Sequence, residues 1–135
     1  MLRKNAKIEL LKRVPMFREC SKRELDQLAG LADELDLPAG RKLTSEGASG
    51  REFIVIVDGA AEVMRKGRKV ADLYSGDFLG EIALITGEPR TATVTTTKPS
   101  RLLVITAQAF RSLLRDLPSL QFKVLEAVAA RLPKD

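Results

Sequence analysis

Gly80, Glu81 and Arg90 are the residues of this chain whose types and spacing can do chemistry, and they fall within one short stretch, 76–94. A glycine at 80 lets the main chain approach a ligand closely or adopt a positive φ. Glu81 offers a carboxylate, and Arg90 adds a fixed cation nine residues further on. Residues 81–86 are enough for one helical turn, whose unpaired N–H groups would point at an anion with the positive end of the peptide dipoles. A carboxylate and a guanidinium joined in this way suit a ligand with both a hydroxyl donor and a phosphate acceptor, such as a nucleoside phosphate. Either residue alone means little, because a surface arginine in a turn is usually just solvated and a glutamate after glycine often just starts a helix. The joint occurrence carries the reading.

What the chain lacks narrows the chemistry further. It has 135 residues, one cysteine and no histidine. Without histidine there is no His-based acid–base catalysis and no Ser-His-Asp or Cys-His arrangement, and with a single Cys20 no zinc, copper or haem site is expected. The one acidic cluster, Asp33-Glu34-Asp36, alternates with Leu35 and Leu37 and reads as the wet face of a strand entrance. The expectation is a binding protein, not an enzyme, with no metal and no catalytic cofactor. Cys20 reads as a small, partly buried side chain at a loop, since nothing is present to activate it. The length fits one domain over 1–135. No apolar run is long enough for a membrane helix and the first residues lack a signal-peptide core, so a cytoplasmic protein is expected.

The net charge of +5 is placed unevenly. Residues 1–23 hold eight Lys/Arg against Glu9 and Glu19, whereas the remainder carries 15 basic and 16 acidic residues. The basic segment could meet nucleic acid, acidic lipid or an acidic partner. It also fits an amphipathic helix over 4–14, with Ile8, Leu10, Leu11 and Val14 inward and lysines in water, and its basic residues show no aromatic interleaving of the kind that stacks bases.

The elements that must position the stretch 76–94 follow from pattern. After Pro15, Met16 and Phe17 read as buried anchors. Ser21-Lys22-Arg23-Glu24 is a capping box that opens a second helix to about 32, with Leu25, Leu28, Leu31 and Ala32 inward. From 41 the period changes to short strands at 41–45, 52–57, 60–66, 68–74, 91–97 and 100–105. Phe53-Ile54-Val55-Ile56-Val57 is apolar throughout, as befits a strand covered on both faces. Lys66-Gly67-Arg68 makes a tight hairpin. Many short strands in a compact chain predict a mainly β fold, a jelly roll or small barrel with helices at both ends. Thr106 can cap a helix over 107–115, and beyond Pro118 a last helix over 119–132 would present Leu120, Val124, Leu125, Val128, Ala129 and Leu132 as one apolar face.

The stretch 76–94 resembles the phosphate-binding cassette of the cyclic-nucleotide-binding domain family, and the resemblance extends from about Leu10 to Leu132. Gly80, Glu81, Ala83, Leu84, Pro89, Arg90, Ala92 and Val94 match the family pattern. The resemblance implies a β jelly roll (a double-stranded β-helix). It implies that Glu81 accepts from the ribose 2′-hydroxyl, that Arg90 pairs with the cyclic phosphate, and that main-chain amides around Ile82, Ala83 and Thr91 complete the cradle, with Gly80 also among the ligand-binding residues. Leu84 would couple the cassette to a C-terminal helix that swings on binding; a plain buried leucine is its equal alternative. Thr91 permits cyclic GMP without demanding it, so cyclic AMP is the favoured ligand.

Two other functions compete with a cyclic-nucleotide receptor module. A degenerate module of the same fold, serving as a protein–protein scaffold, is opposed by the intact Glu81 and Arg90. A cupin-type enzyme is opposed by the absence of histidine. Nothing after Leu132 resembles a base-covering third helix, a DNA-binding helix-turn-helix, a kinase or a channel, which predicts an open base site; the output partner and oligomeric state are not legible.

Overall fold

The computed structural model describes residues 2–49, 52–80, 87 and 89–131, and only the main chain of 127, 128, 130 and 131. Helix α1 (Lys4–Leu11) carries Ile8 and Leu11 into the core. It stops three residues short of the expected end because Pro15 excludes the helical conformation at the residue before it, and Val14 is extended at ψ 123°. One 3₁₀ turn, Pro15–Phe17, then buries Met16 and Phe17 as expected. The capping box forms: the Glu24 amide donates to Ser21 Oγ at 3.2 Å and the Ser21 amide to Glu24 Oε1 at 2.7 Å. It opens α2 (Lys22–Leu31), which buries Leu25, Leu28 and Ala29.

Eight strands follow: β1 (Asp33–Leu37), β2 (Lys42–Thr44), β3 (Glu52–Asp58), β4 (Ala60–Arg65), β5 (Arg68–Tyr74), β6 (Phe78–Leu79), β7 (Thr93–Thr96) and β8 (Ser100–Thr106). They form two antiparallel four-stranded sheets, in the orders β1-β8-β3-β6 and β2-β7-β4-β5, facing each other as a jelly roll. The acidic segment at 33–37 is a full strand, not merely an entrance. It pairs with β8 from Asp33↔Val104 to Leu37↔Ser100, and Arg101 meets Asp36 at 2.9 Å on its wet side. The two-residue β6, absent from the pattern reading, is held by Ile54↔Leu79 and Val55↔Phe78. β4 and β5 are joined through Lys66 and Gly67, with φ of 51° and 77°, the two positive values that a type I′ hairpin turn requires.

β3 shows why the run 53–57 is apolar. Phe53 and Val55 face a core shared with the helices, and Phe17 packs edge-on to Phe53 at 5.7 Å and against Phe110 at 5.9 Å. Ile54 and Ile56 face the other way, between the sheets, with Val94, Leu102 and Val104. Thr106 Oγ1 caps α3 (Ala107–Asp116) by accepting from the Ala109 amide at 3.1 Å.

The last helix, α4 (Pro118–Arg131), begins at the proline itself, whose missing N–H costs nothing in a first turn. Leu120 and Val124 are buried, but the expected single apolar face is too wide: Leu125 is 63% exposed and Ala129 is also exposed. At 3.6 residues per turn, 120 and 124 share a face, while 125 lies about 100° further round. Phe122, 64% exposed, stands on the outer side as well. The side chain of Val128 and all of Leu132 lie outside the described residues, as does Leu84.

Candidate functional site

Gly80 takes a φ of +90°, and it has no space for a side chain. An added Cβ would lie 2.6 Å from the Glu52 carbonyl oxygen and 2.2 Å from Nη1 of Arg90. The left-handed conformation expected of the glycine occurs, and the crowding around it comes from protein groups, Glu52 and Arg90. The closest approach is to the guanidinium itself, so Gly80 and Arg90, ten residues apart in sequence, are in contact.

Arg90 is half-buried and donates from Nη2 to the Glu52 carbonyl at 2.5 Å. Its main chain is clamped to the loop between β2 and β3. The Arg90 amide donates to the Ala48 carbonyl at 2.7 Å, and the Arg90 carbonyl accepts from the Gly47 amide at 2.8 Å. Pro89 bridges Ser49 beside them. Burial pushes the guanidinium below its ordinary pKa and the charge of Glu52 opposes that shift, yet an arginine stays cationic in any protein environment. The arginine opens onto a cleft of about 270 Å³ whose lining includes Lys42, Ser45, Ser49 and Glu52. The cleft thus gathers two cations and two serine hydroxyls, with Glu52 among them.

Thr91 is exposed, and its carbonyl accepts from Nε of Arg65 at 3.1 Å. Ala92 is buried, and its carbonyl accepts from Thr44 Oγ1 at 3.0 Å. The segment leaving Arg90 is thus pinned from both β2 and the β4–β5 hairpin. Glu81, Ile82 and Ala83 lie outside the described residues.

Two contributors escaped the sequence reading. Glu52 enters chiefly through its carbonyl, which every residue has, so its type gave no signal. Arg65 carried a weak signal as the last residue before a tight turn, but charged residues are common there. Cys20 is half-buried, and its thiol is pushed up to about 11 by burial and then by the charge of Glu24, against a smaller opposing effect of Lys123. Among the described residues no group of three His, Cys, Asp or Glu is arranged to hold a metal ion, and no helix is long and apolar enough to cross a membrane.

A two-sheet jelly roll flanked by helices, with a glycine pressed on an arginine at its edge, defines a small-ligand-binding domain. Its family is shown directly. The chain belongs to the cyclic nucleotide-binding domain family, whose model matches residues 34–116. It is 34% identical over 106 residues to a cAMP-dependent protein kinase regulatory subunit of Yarrowia lipolytica, covering 77% of this chain and 28% of that protein. It is 31% identical over 112 residues to a cyclic nucleotide-gated potassium channel of Rhizobium etli, covering 83% of this chain and 31% of that one. The chain therefore spans about a third or less of these relatives. Among solved structures, the N-terminal domain of a transcriptional regulator from Streptomyces coelicolor A3(2) superposes with a TM-score of 0.82 at 28% identity, covering 90% of this chain and 91% of that one. A cyclic nucleotide-binding domain from Methylobacillus flagellatus KT gives 0.79 at 26% identity, covering 95% and 77%.

Proposed function

We propose that this chain is a non-catalytic receptor module for a cyclic nucleotide, with cyclic AMP favoured over cyclic GMP, and that occupancy is relayed through α4 to an attached domain or a partner. In this reading Arg90 pairs with the cyclic phosphate, Glu81 accepts from the ribose 2′-hydroxyl, Gly80 lets the main chain come close, and amides near Ile82, Ala83 and Thr91 complete the cradle, with Leu84 coupling the cassette to α4. The observation that carries it is the packing of Gly80 against Arg90: a glycine with no room for a side chain is pressed on a half-buried arginine. Preference for cyclic AMP draws support from the kinase regulatory subunits among the relatives, which are named for that nucleotide.

A cyclic nucleotide has about 22 heavy atoms, and at roughly 0.3 kcal/mol per atom its dissociation constant is on the order of ten micromolar. Calorimetric titration with cyclic AMP and cyclic GMP tests the reading. Charge-assisted hydrogen bonds contribute about 1.5–3 kcal/mol each, so Arg90→Ala is expected to weaken binding at least about tenfold. An Arg90→Ala chain that binds cyclic AMP as well as the parent would overturn the site assignment.

A further inference from the structure

The hydrogen bonds around Arg90 extend outward to a place that the ligand reading does not use, the tip of the β4–β5 hairpin. Nε of Arg65 holds the Thr91 carbonyl at 3.1 Å. The next residue, Lys66, is left-handed at φ 51°, and its amide donates to Oε1 of Glu46 at 3.0 Å. Glu46 donates its own amide to Thr93 Oγ1 at 2.9 Å. The residues directly after Glu46, Gly47 and Ala48, are those that hold the Arg90 main chain. The hairpin tip, the loop carrying Glu46 and the segment 90–93 therefore close a ring of hydrogen bonds around the backbone of Arg90.

The ladder explains how Arg65 reaches this position. Ala61↔Thr96 and Val63↔Val94 are paired, and Ala61 and Val94 pack between the sheets, so alternate residues of β4 face the inside of the roll. Arg65 is two residues on from Val63, in the same row, where β7 has already ended and the chain has become the segment leaving Arg90. Its Nε is spent on Thr91, and its guanidinium forms no ion pair among the described residues.

We propose that Arg65 and Glu46 are positioning residues for Arg90: they fix the backbone of 90–93 from two sides and so set how well the Arg90 guanidinium meets the phosphate of a bound nucleotide. The inference rests on the receptor reading above. It makes the hairpin tip a determinant of how Arg90 is presented to the phosphate.

Arg65→Ala and Glu46→Ala are each expected to weaken cyclic AMP and cyclic GMP by the same factor, about 3- to 10-fold, the range of one net hydrogen bond. The double variant should fall short of the product of the two, because both act on one segment. In an Arg90→Ala background Arg65→Ala should cause no further loss. Amide exchange of ligand-free protein supplies a second readout: Arg65→Ala should speed exchange at Gly47 and Arg90 while leaving Phe53 and Leu103 unchanged. If Arg65→Ala weakens binding by the same factor with Arg90 already removed, or costs cyclic GMP alone, Arg65 touches the ligand and the positioning role is wrong. Unchanged exchange at Gly47 and Arg90 overturns it as well. Should the parent chain bind neither nucleotide, the receptor reading fails, while the exchange experiment still decides whether the ring holds Arg90.

Discussion

Lys123 Nζ lies 2.6 Å from Oε1 of Glu24, a buried carboxylate at the start of α2. Ser119, one turn earlier on α4, donates to the other oxygen at 2.9 Å, and the Ser21 amide donates at 2.7 Å. The capping box of α2 is thereby also the clasp that holds α4, while Leu120 and Val124 of the same helix are buried in the core. Removing the cation leaves a buried carboxylate short of its charged partner, whereas removing the charge from the carboxylate does not. Lys123→Met is therefore expected to lower the melting midpoint by more than Glu24→Gln. The two together should cost less than the sum, which thermal melts of the three variants would read.

The same clasp makes stability fall in acid. Burial pushes the Glu24 carboxyl up, but hydrogen bonds from Lys123, the Ser21 amide, Ser119 and the Ser21 hydroxyl together outweigh it and bring the carboxyl from 4.5 down to about 2. A carboxyl that holds its proton less tightly when folded contributes stability that is complete above its ordinary value. That contribution drains away as pH falls from there toward about 2. Denaturant midpoints measured from pH 6 to pH 2.5 should fall through this window for the parent and fall less steeply for Glu24→Gln. Parallel curves would show that the clasp does not titrate.

Gly80→Ala should damage fold and site together. The substitution forces a φ of +90° on an L side chain and drives a methyl group into the Glu52 carbonyl and the Arg90 guanidinium. Backbone strain of this kind costs on the order of 1–3 kcal/mol. Calorimetry on whatever fraction remains folded should show weaker nucleotide binding than the parent, because Arg90 must move aside. An alanine variant of parental stability and affinity would mean that the contact is not maintained in solution.

Much of this was legible because local chemistry and tertiary demand agree. The capping box at Ser21, the two-faced strand at 53–57 and the Lys66-Gly67 turn each satisfy a rule that acts within a few residues, and each forms as expected. The glycine and arginine of the cassette could be singled out because their types and short spacing are informative, although their contact with each other could not. What escaped depends on neighbours distant in sequence. β6 exists only because β3 supplies partners for Phe78 and Leu79. The Glu52 carbonyl reaches Arg90 across 38 residues. The apolar stripe of α4 misled because an amphipathic pattern tells which residues can be buried, not how wide a face the neighbouring elements cover.

That narrower face predicts an unequal response along α4. Leu120→Ala removes a fully buried side chain and should cost about 2–5 kcal/mol, whereas Leu125→Ala, at an exposed position, should stay within about 0.5 kcal/mol. Denaturant unfolding of the two variants separates the faces, and equal losses would place Leu125 in a packed environment after all.

The relay of binding through α4 can be tested on the same helix. A ligand moves an equilibrium only through its differential affinity for two arrangements, so a relay requires α4 to differ between bound and free protein. The clasp and the buried Leu120 and Val124 all lie in the first half of α4, whereas the exposed Leu125 and Ala129 lie in the second. Cyclic AMP is therefore expected to change amide exchange mainly beyond Val124, with 118–124 protected in both states. In Lys123→Met, whose clasp is broken, the response should spread to the first half as well. Exchange slowed near Gly80 and Arg90 with α4 unchanged throughout would mean that the chain binds nucleotide and sends nothing through this helix.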